Sequence, residues 1–394
     1  MAKAQSASPE TATATFDRGP ARYFHGREKI LNTFDELAEN AVKASGGSTF
    51  IVQGAPGAGK SALLYECEKI VRGRGWDVVD LVTPSPLWDP AALRRALGFG
   101  MTRNVVMGIV DVVTNKFTGT NLISNIPEVT PTTINVLEKY KKPLLLILDE
   151  AHTLWEAHKP NREQTGTITS VLNAIHNGKL GTPVIFLAAG LGETIATFRE
   201  WGISRASEGC SVELGALSKE SEHAVIQDWL TKEAMVKGAP TTWIGIIAKE
   251  TQGWPKHITS YARIASDQIK TDNGEMTAEG IALVLERGKE ARSQYYEKRV
   301  DDFEGDEVIC LSEAIADIRS GMSFKKELVL SPLTEKYGAD KAKNLFRKFS
   351  EKGVISKDGL LHSVPIPSMH DWMKAELDRT RKKLEQSMEA PPEN

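Results

Sequence analysis

Eight consecutive residues, Gly54-Ala55-Pro56-Gly57-Ala58-Gly59-Lys60-Ser61, have the types and spacing of a phosphate cradle. Their glycines let the backbone curl so that successive N–H groups converge on one anion. A β-rich run, Phe50-Ile51-Val52-Gln53, precedes the segment, and the good helix former Ser61-Ala62-Leu63-Leu64 follows it. The positive end of that helix dipole therefore faces the same point. Lys60 is placed to reach the β- and γ-phosphates of a nucleoside triphosphate, and the Ser61 hydroxyl to hold Mg2+. Gly54 through Ala62 are the expected contacts to ATP. A match of this kind arises by chance in roughly one chain in a hundred of this length. A plain glycine-rich turn is the competing reading and much the weaker one.

Such a cradle needs an acid on a neighbouring strand. Leu144-Leu145-Leu146-Ile147-Leu148 is apolar throughout and delivers Asp149 and Glu150 at its carboxyl end, where open α/β sheets bind ligands. Asp149 is expected to act on Mg2+, mainly through water, and Glu150 to polarise an attacking water as general base. An Asp-Glu pair after a strand is by itself a solvated loop start. Paired with the cradle, it argues for hydrolysis as well as binding.

The rest of the chain must position these groups. Its 394 residues suggest two or three domains at about 150 residues each. With 49 basic and 52 acidic side chains the net charge is −3, so nucleic-acid binding would need a local basic patch. The hydrophobic (41%) and charged (26%) fractions argue against a mainly disordered or fibrous chain. Cys67, Cys210 and Cys310 lie far apart without metal-ligand spacing, which points to a reducing compartment and three small core residues. The longest nearly apolar stretch, residues 183–192, is far short of the ~20 residues a membrane span needs. The N-terminus lacks an apolar signal core, and the chain reads as cytoplasmic. Short apolar runs alternate with helical patterns up to about residue 215, which predicts a parallel sheet covered on both faces. Helical patterns then follow in succession, broken at Gly238-Ala239-Pro240, Gly253-Trp254-Pro255 and Asp272-Asn273-Gly274.

Three further segments resemble the AAA+ ATPases, in the branch that holds origin-recognition, transposition-helper and STAND signalling ATPases. Tyr23-Phe24-His25-Gly26-Arg27-Glu28 is similar to that branch's "hhGRE" box. The resemblance implies that Phe24, His25 and Gly26 line the base while Arg27 and Glu28 fix the segment. Arg205 matches the placement of an arginine finger, just before the last strand, that reaches a neighbouring subunit's γ-phosphate, with Arg199 as its alternative. Gly253-Trp254-Pro255-Lys256 resembles the Gly-x-Pro start of a lid helix, which implies Pro255 against the base and Lys256 towards the phosphates. Each has a plainer reading: a helix start, a surface arginine, a helix after a turn. One departure stands out. The family usually places a polar sensor at the end of the fourth strand, and here only Ala and Gly precede Glu193 and Thr194, which implies slow turnover. Asp149-Glu150-Ala151-His152 spells a helicase motif, but a helicase of that kind needs two such lobes, and only one cradle exists.

The resemblance implies an α/β fold of P-loop type: a three-layer parallel-sheet nucleotide domain (21–216), a helical lid domain (217–302) and a C-terminal winged-helix domain (303–376). A disordered tail (1–20) and a charged flexible tail (377–394) would flank them. In the third unit Ala342, Leu345, Phe346 and Phe349 form one buried stripe at helical spacing. Lys341, Asn344, Arg347 and Lys348 are candidate DNA contacts, mainly to phosphate. A solvated charged face, or an intramolecular lock of the signalling type, competes with that reading; Arg379 and Lys383 bound a short basic run that tips it towards DNA. The leading expectation is an oligomeric ATP switch assembling on or near double-stranded DNA. Its alternative is a STAND-like signalling ATPase acting through an unidentified protein partner. A small-molecule kinase is weaker, because nothing supplies a substrate pocket. Residues 97–130 have no physical account in the sequence.

Overall fold

The computed structural model describes residues 20–98, 133–156, 161–201, 210–358 and 360–377. Arg205, the run 379–383 and nearly all of 97–130 lie outside the described residues.

Each apolar run of the first half forms a strand: β1 (Gly47–Gly54), β2 (Asp77–Asp80), β3 (Leu144–Leu148), β4 (Val184–Gly190) and β5 (Ser211–Leu214). They form one sheet in the order β2-β3-β4-β1-β5, and every pairing is parallel. Successive side chains point to opposite faces of a strand, and here both faces are covered. Phe50, Val52, Leu145, Ile147, Ile185 and Leu187 pack with helices α1 (Glu28–Lys43) and α2 (Lys60–Gly73). Ile51, Leu144, Leu146, Val184 and Phe186 pack with the helices at Thr133–Lys139 and Arg162–His176 on the other side. That double burial is why β3 and β4 read as unbroken apolar runs. Ile51, Ala188 and Leu148 lie in one row across β1, β4 and β3. The cradle and the acids therefore emerge on the same edge, one strand apart.

From residue 219 the chain is helical. Lys219–Asp228 continues into a π-turn at Trp229–Glu233, followed by Thr241–Thr251, α3 (Pro255–Thr271) and α4 (Ala278–Val300). The three breaks fall where Gly and Pro predict them. Gly288 sits inside α4 because a Cβ there would meet the Tyr261 ring at 2.3 Å, so its absence lets α3 and α4 approach.

The last unit comprises helices Gly305–Ile315 and Glu327–Tyr337, then α5 (Ala339–Glu351), the antiparallel hairpin β6 (Ser356–Asp358) and β7 (Leu361–Ser363), and a helix over 367–377. The four stripe residues of α5 are all buried. In the hairpin the pairing Asp358↔Leu361 leaves a two-residue connection, the length whose turns match the twist of the flanking strands. Among the described residues no helix is long and apolar enough to cross a membrane.

Candidate functional site

The cradle is built as its glycines require. Gly57 (φ +81°) and Gly59 (φ +91°) take left-handed conformations that disfavour a side chain. Lys60 opens α2 and is buried; its Nζ donates to the carbonyls of Gly54 (2.9 Å) and Ala55 (3.3 Å). An ammonium has three donors, so one remains for an anion. The Ser61 hydroxyl donates to Asp149 Oδ2 at 2.7 Å, and Asp149 Oδ1 accepts the Glu150 N–H at 2.9 Å. A hydroxyl and a carboxylate brought together this way are hard oxygen donors. Mg2+ bound with a triphosphate takes one or two such groups plus phosphate and water, so these residues fit it.

Glu150 itself sits at φ +52°, which for a residue with a side chain costs on the order of 1 kcal/mol. Partial desolvation raises its pKa, opposed by the charge of Lys60. Burial lowers the pKa of Lys60, opposed by Glu150 and Asp149. His152 Nδ1 lies 3.2 Å from Glu150 Oε2. Burial, then the charge of Lys60, pushes His152 down to about 4, so the imidazole touching the acid is neutral at neutral pH.

A cavity of about 60 Å³ adjoins the cradle, lined by Phe24, His25, Arg27, Ala58, Gly59, Ala62 and Pro255. Segments from three parts of the chain thus meet in one pocket. Gly26 does not line it but permits it, since a Cβ there would strike Ser221 at 2.5 Å. Arg27 donates to the Gly215 carbonyl at the end of β5, Glu28 accepts from the Gly26 N–H at 2.8 Å, and His25 Nε2 lies 2.9 Å from Asp228. Tyr23, Leu217, Val225 and Ile258 complete the walls. Tyr23 belongs to the segment 23–28 and Ile258 follows Lys256 by two positions, whereas no motif marks Leu217 or Val225.

Pro255 and Lys256 are held by a buried acid, Glu222, which accepts from the Gly253 N–H at 2.7 Å and from the Thr251 hydroxyl. Lys256 meets the cradle through its backbone, donating from N–H to the Gly57 carbonyl at 3.1 Å, while its side chain is exposed. Tyr295 of α4 was missed by the sequence reading. Its hydroxyl donates to the Pro56 carbonyl at 2.7 Å, locking the helical unit onto the loop. Thr194 is the polar group nearest the end of β4: it is buried, and a Cβ on Gly190 would meet its hydroxyl at 2.2 Å. That hydroxyl donates to the Leu191 carbonyl at 2.6 Å.

The candidate DNA contacts Lys341, Asn344, Arg347 and Lys348 line one groove along α5. Their charges are largely met within the chain. Lys341 lies 3.0 Å from Glu307, Arg347 lies 3.5 Å from Glu351, and Lys348 donates to the Asp302 carbonyl with its ammonium 4.5 Å from the Phe303 ring centroid. The same unit touches the cradle, because Gly353 abuts Pro56. Arg347 and Glu351 also face His152 and Trp155 across a cleft of about 370 Å³. Arg199 is exposed at the end of the helix Thr194–Glu200, on the β6 side.

No family model and no curated protein matches the chain. Solved structures do resemble it. The Aeropyrum pernix ORC2 protein, in its ADPNP–ADP complexes, is 13% identical with a TM-score of 0.56, over 92% of this chain and 96% of that one. Its ADP form gives 12% and 0.57, over 92% and 97%. A Walker-type ATPase of Pyrococcus abyssi gives 12% and 0.54, over 89% and 96%. At such identities the likeness is one of fold, and it extends over nearly the whole length of each chain.

Proposed function

We propose that the chain is an ATP-binding and ATP-hydrolysing switch of the AAA+ type that works as an oligomer in a DNA transaction. The observation that carries this reading is the 2.7 Å hydrogen bond from Ser61 to Asp149, made beside the buried ammonium of Lys60. Two segments far apart in sequence meet there as triphosphate chemistry requires. The fold likeness to a protein solved with ADPNP and ADP agrees with it.

In this reading the amides of Gly57 to Ser61 and the Lys60 ammonium hold the β- and γ-phosphates. Ser61 and Asp149 would hold Mg2+, which when bound neutralises charge on the phosphate oxygens. Glu150 accepts a proton from the attacking water, and neutral His152 steadies its carboxylate without neutralising it. Phe24, His25 and Pro255 enclose the base. Arg205, from a neighbouring copy, would meet charge developing on the transferred phosphoryl group, a contribution of about 10³–10⁵ in rate where such a finger operates. Residues 217–302 act as the lid, and 303–376 as a winged helix whose α5 faces DNA.

A second reading, a signalling switch with a protein partner, is favoured by one observation. Lys341, Arg347 and Lys348 of α5 are met within the chain, and its unit rests on the cradle at Pro56. The test uses Glu150→Gln protein, which should retain ATP, titrated with fluorescent duplex DNA at two salt concentrations. Binding that requires ATP and weakens steeply with salt supports the DNA role. ATP-driven oligomers without duplex binding support the signalling role. Failure to bind ATP at all overturns both.

A further inference from the structure

The groove along α5 does not end on that helix. Lys341, Asn344 and Lys348 line it over about 590 Å³, and Arg347 and Glu351 belong both to it and to the cleft of about 370 Å³ against the nucleotide domain. The opposite wall of that cleft carries His152 and the half-buried indole of Trp155. Phe198 and Trp201 meet the Trp155 ring edge to face, at centroid distances of 6.1 and 6.0 Å, so two neighbours fix its plane. Cations in a groove with an aromatic ring at its end are the parts that hold a single nucleic-acid strand. The cations follow the phosphates, and the ring takes an unstacked base. The cleft lies within the ~300–1,000 Å³ of small-molecule sites, room for one base and its sugar.

The docked position of the unit argues against a duplex. A recognition helix has to enter a major groove about 12 Å wide, with open space around it. Here α5 faces the nucleotide domain at Arg347 and Glu351. Beyond its end Gly353 abuts Pro56, and the Ser356 Cβ lies 3.3 Å from where a Cβ on Gly192 would stand. A duplex would first have to lift the unit off the cradle, and a single strand would not. The pairing of the α5 cations leaves them usable. Arg347 sits 3.5 Å from Glu351 with its side chain 62% exposed, and exposed pairs of this kind hold so weakly that a phosphate can replace the acid.

We propose that the α5 groove and the cleft at its end form one site for single-stranded nucleic acid, in which Arg347 contacts a phosphate and Trp155 stacks one base. The assignment rests on the DNA reading above for the class of partner. It places the bound base between the two units, on the wall that carries His152.

The test titrates fluorescent oligothymidylate, oligouridylate and duplex DNA, each about 15 residues long, into full-length wild type, Trp155→Ala, Trp155→Phe and Arg347→Gln at two salt concentrations. Wild type should bind a single strand more tightly than duplex. Trp155→Ala should weaken the strand at least about fivefold, the low end for one base stacked on an aromatic ring, with Trp155→Phe intermediate. Arg347→Gln should weaken it a few-fold and make the log–log salt slope shallower by about 0.7, one phosphate contact on a single strand. Because Arg347 is exposed, its variant keeps the fold and the assignment stays testable if Trp155→Ala does not fold. Equal strand affinity in wild type and the folded variants overturns the assignment. Tighter binding of duplex than of strand also overturns it and leaves the DNA reading standing, whereas no binding of any nucleic acid overturns both. A preference for oligouridylate identifies the strand as RNA, and the reverse identifies it as DNA.

Discussion

Lys60 and Lys348 are the same side chain in two settings. Lys60 is buried, bonded only to neutral carbonyls of its own loop, and faces Asp149 and Glu150 without forming an ion pair with either. Lys348 lies on a helix dense in cations, yet it is taken up by the Asp302 carbonyl and the Phe303 ring. Lys341 and Lys352 are likewise paired, with Glu307 and Asp302. The number of cations in a segment measures its charge. Whether that charge can reach a ligand depends on what folds against it. The loop keeps one donor in reserve, whereas α5 satisfies most of its charge internally.

The largest effect should come from removing the loop's cation. Lys60→Ala is expected to weaken ATP at least about 100-fold, near 2.7 kcal/mol, by equilibrium titration. The same change at Lys348 should leave ATP affinity untouched. Equal effects at the two lysines would erase the distinction between them.

Acid probes the buried groups behind the loop. His257, buried on α3, hydrogen-bonds with the Tyr296 hydroxyl at 2.7 Å and is pushed by burial from 6.5 to about 3. A base whose pKa is lowered on folding binds protons more readily when unfolded. Stability therefore falls as pH drops below 6.5, by up to about 1.4 kcal/mol per pH unit for each such group. His152, lowered to about 4, adds to this until the pH nears that value. Urea unfolding at pH 7 and pH 5 should show the loss. His257→Asn should begin less stable but lose less between those two values. Identical losses would mean that His257 titrates normally.

The junction between the two regions can be broken at Gly353. It adopts φ +68°, and a Cβ there would stand 2.4 Å from Pro56 Cδ. Gly353→Ala should cost about 1–2 kcal/mol and lower Tm by several degrees. It should also raise the rate at which a protease cuts between α4 and α5, because the C-terminal unit loses its seat on the loop. An unchanged Tm would show that loop and unit are not coupled there.

Much of this was legible in the sequence, for reasons that differ by residue. Five apolar runs gave five strands because a sheet covered on both faces needs no polar alternation. The glycines, Lys60 and the two acids were legible because phosphate chemistry restricts both type and spacing. The stripe of α5 followed from helical period alone. Tyr295 was not legible, since its partner Pro56 lies 239 residues away and an aromatic pair on a helix more often means core. Thr194 was passed over because it lies beyond β4, and only the turn at Leu191 brings its hydroxyl back to Gly190. Much of the internal pairing of the α5 cations was illegible because its partners are distant in sequence: Glu307, which meets Lys341, lies in the unit's first helix, and Asp302, which meets Lys352, just before it. Arg205 lies outside the described residues, and its role rests on the resemblance.

The smallest effect should come from releasing those cations. Asp302→Asn removes the carboxylate that meets Lys352 and leaves the fold intact, because both side chains are solvent-exposed. Exposed pairs of this kind contribute little to stability, so Tm should stay where it is. If α5 faces DNA, the variant should bind duplex a few-fold more tightly at low salt. Its log–log salt slope should steepen by roughly 0.9 for each phosphate newly contacted. If α5 instead serves as an internal lock, the same substitution should leave duplex binding flat and raise basal ATP turnover, because the carboxylate belongs to the linker that holds the unit in place. One variant measured in two assays thus asks whether the paired cations of α5 are a reserve for a polyanion or a fastening.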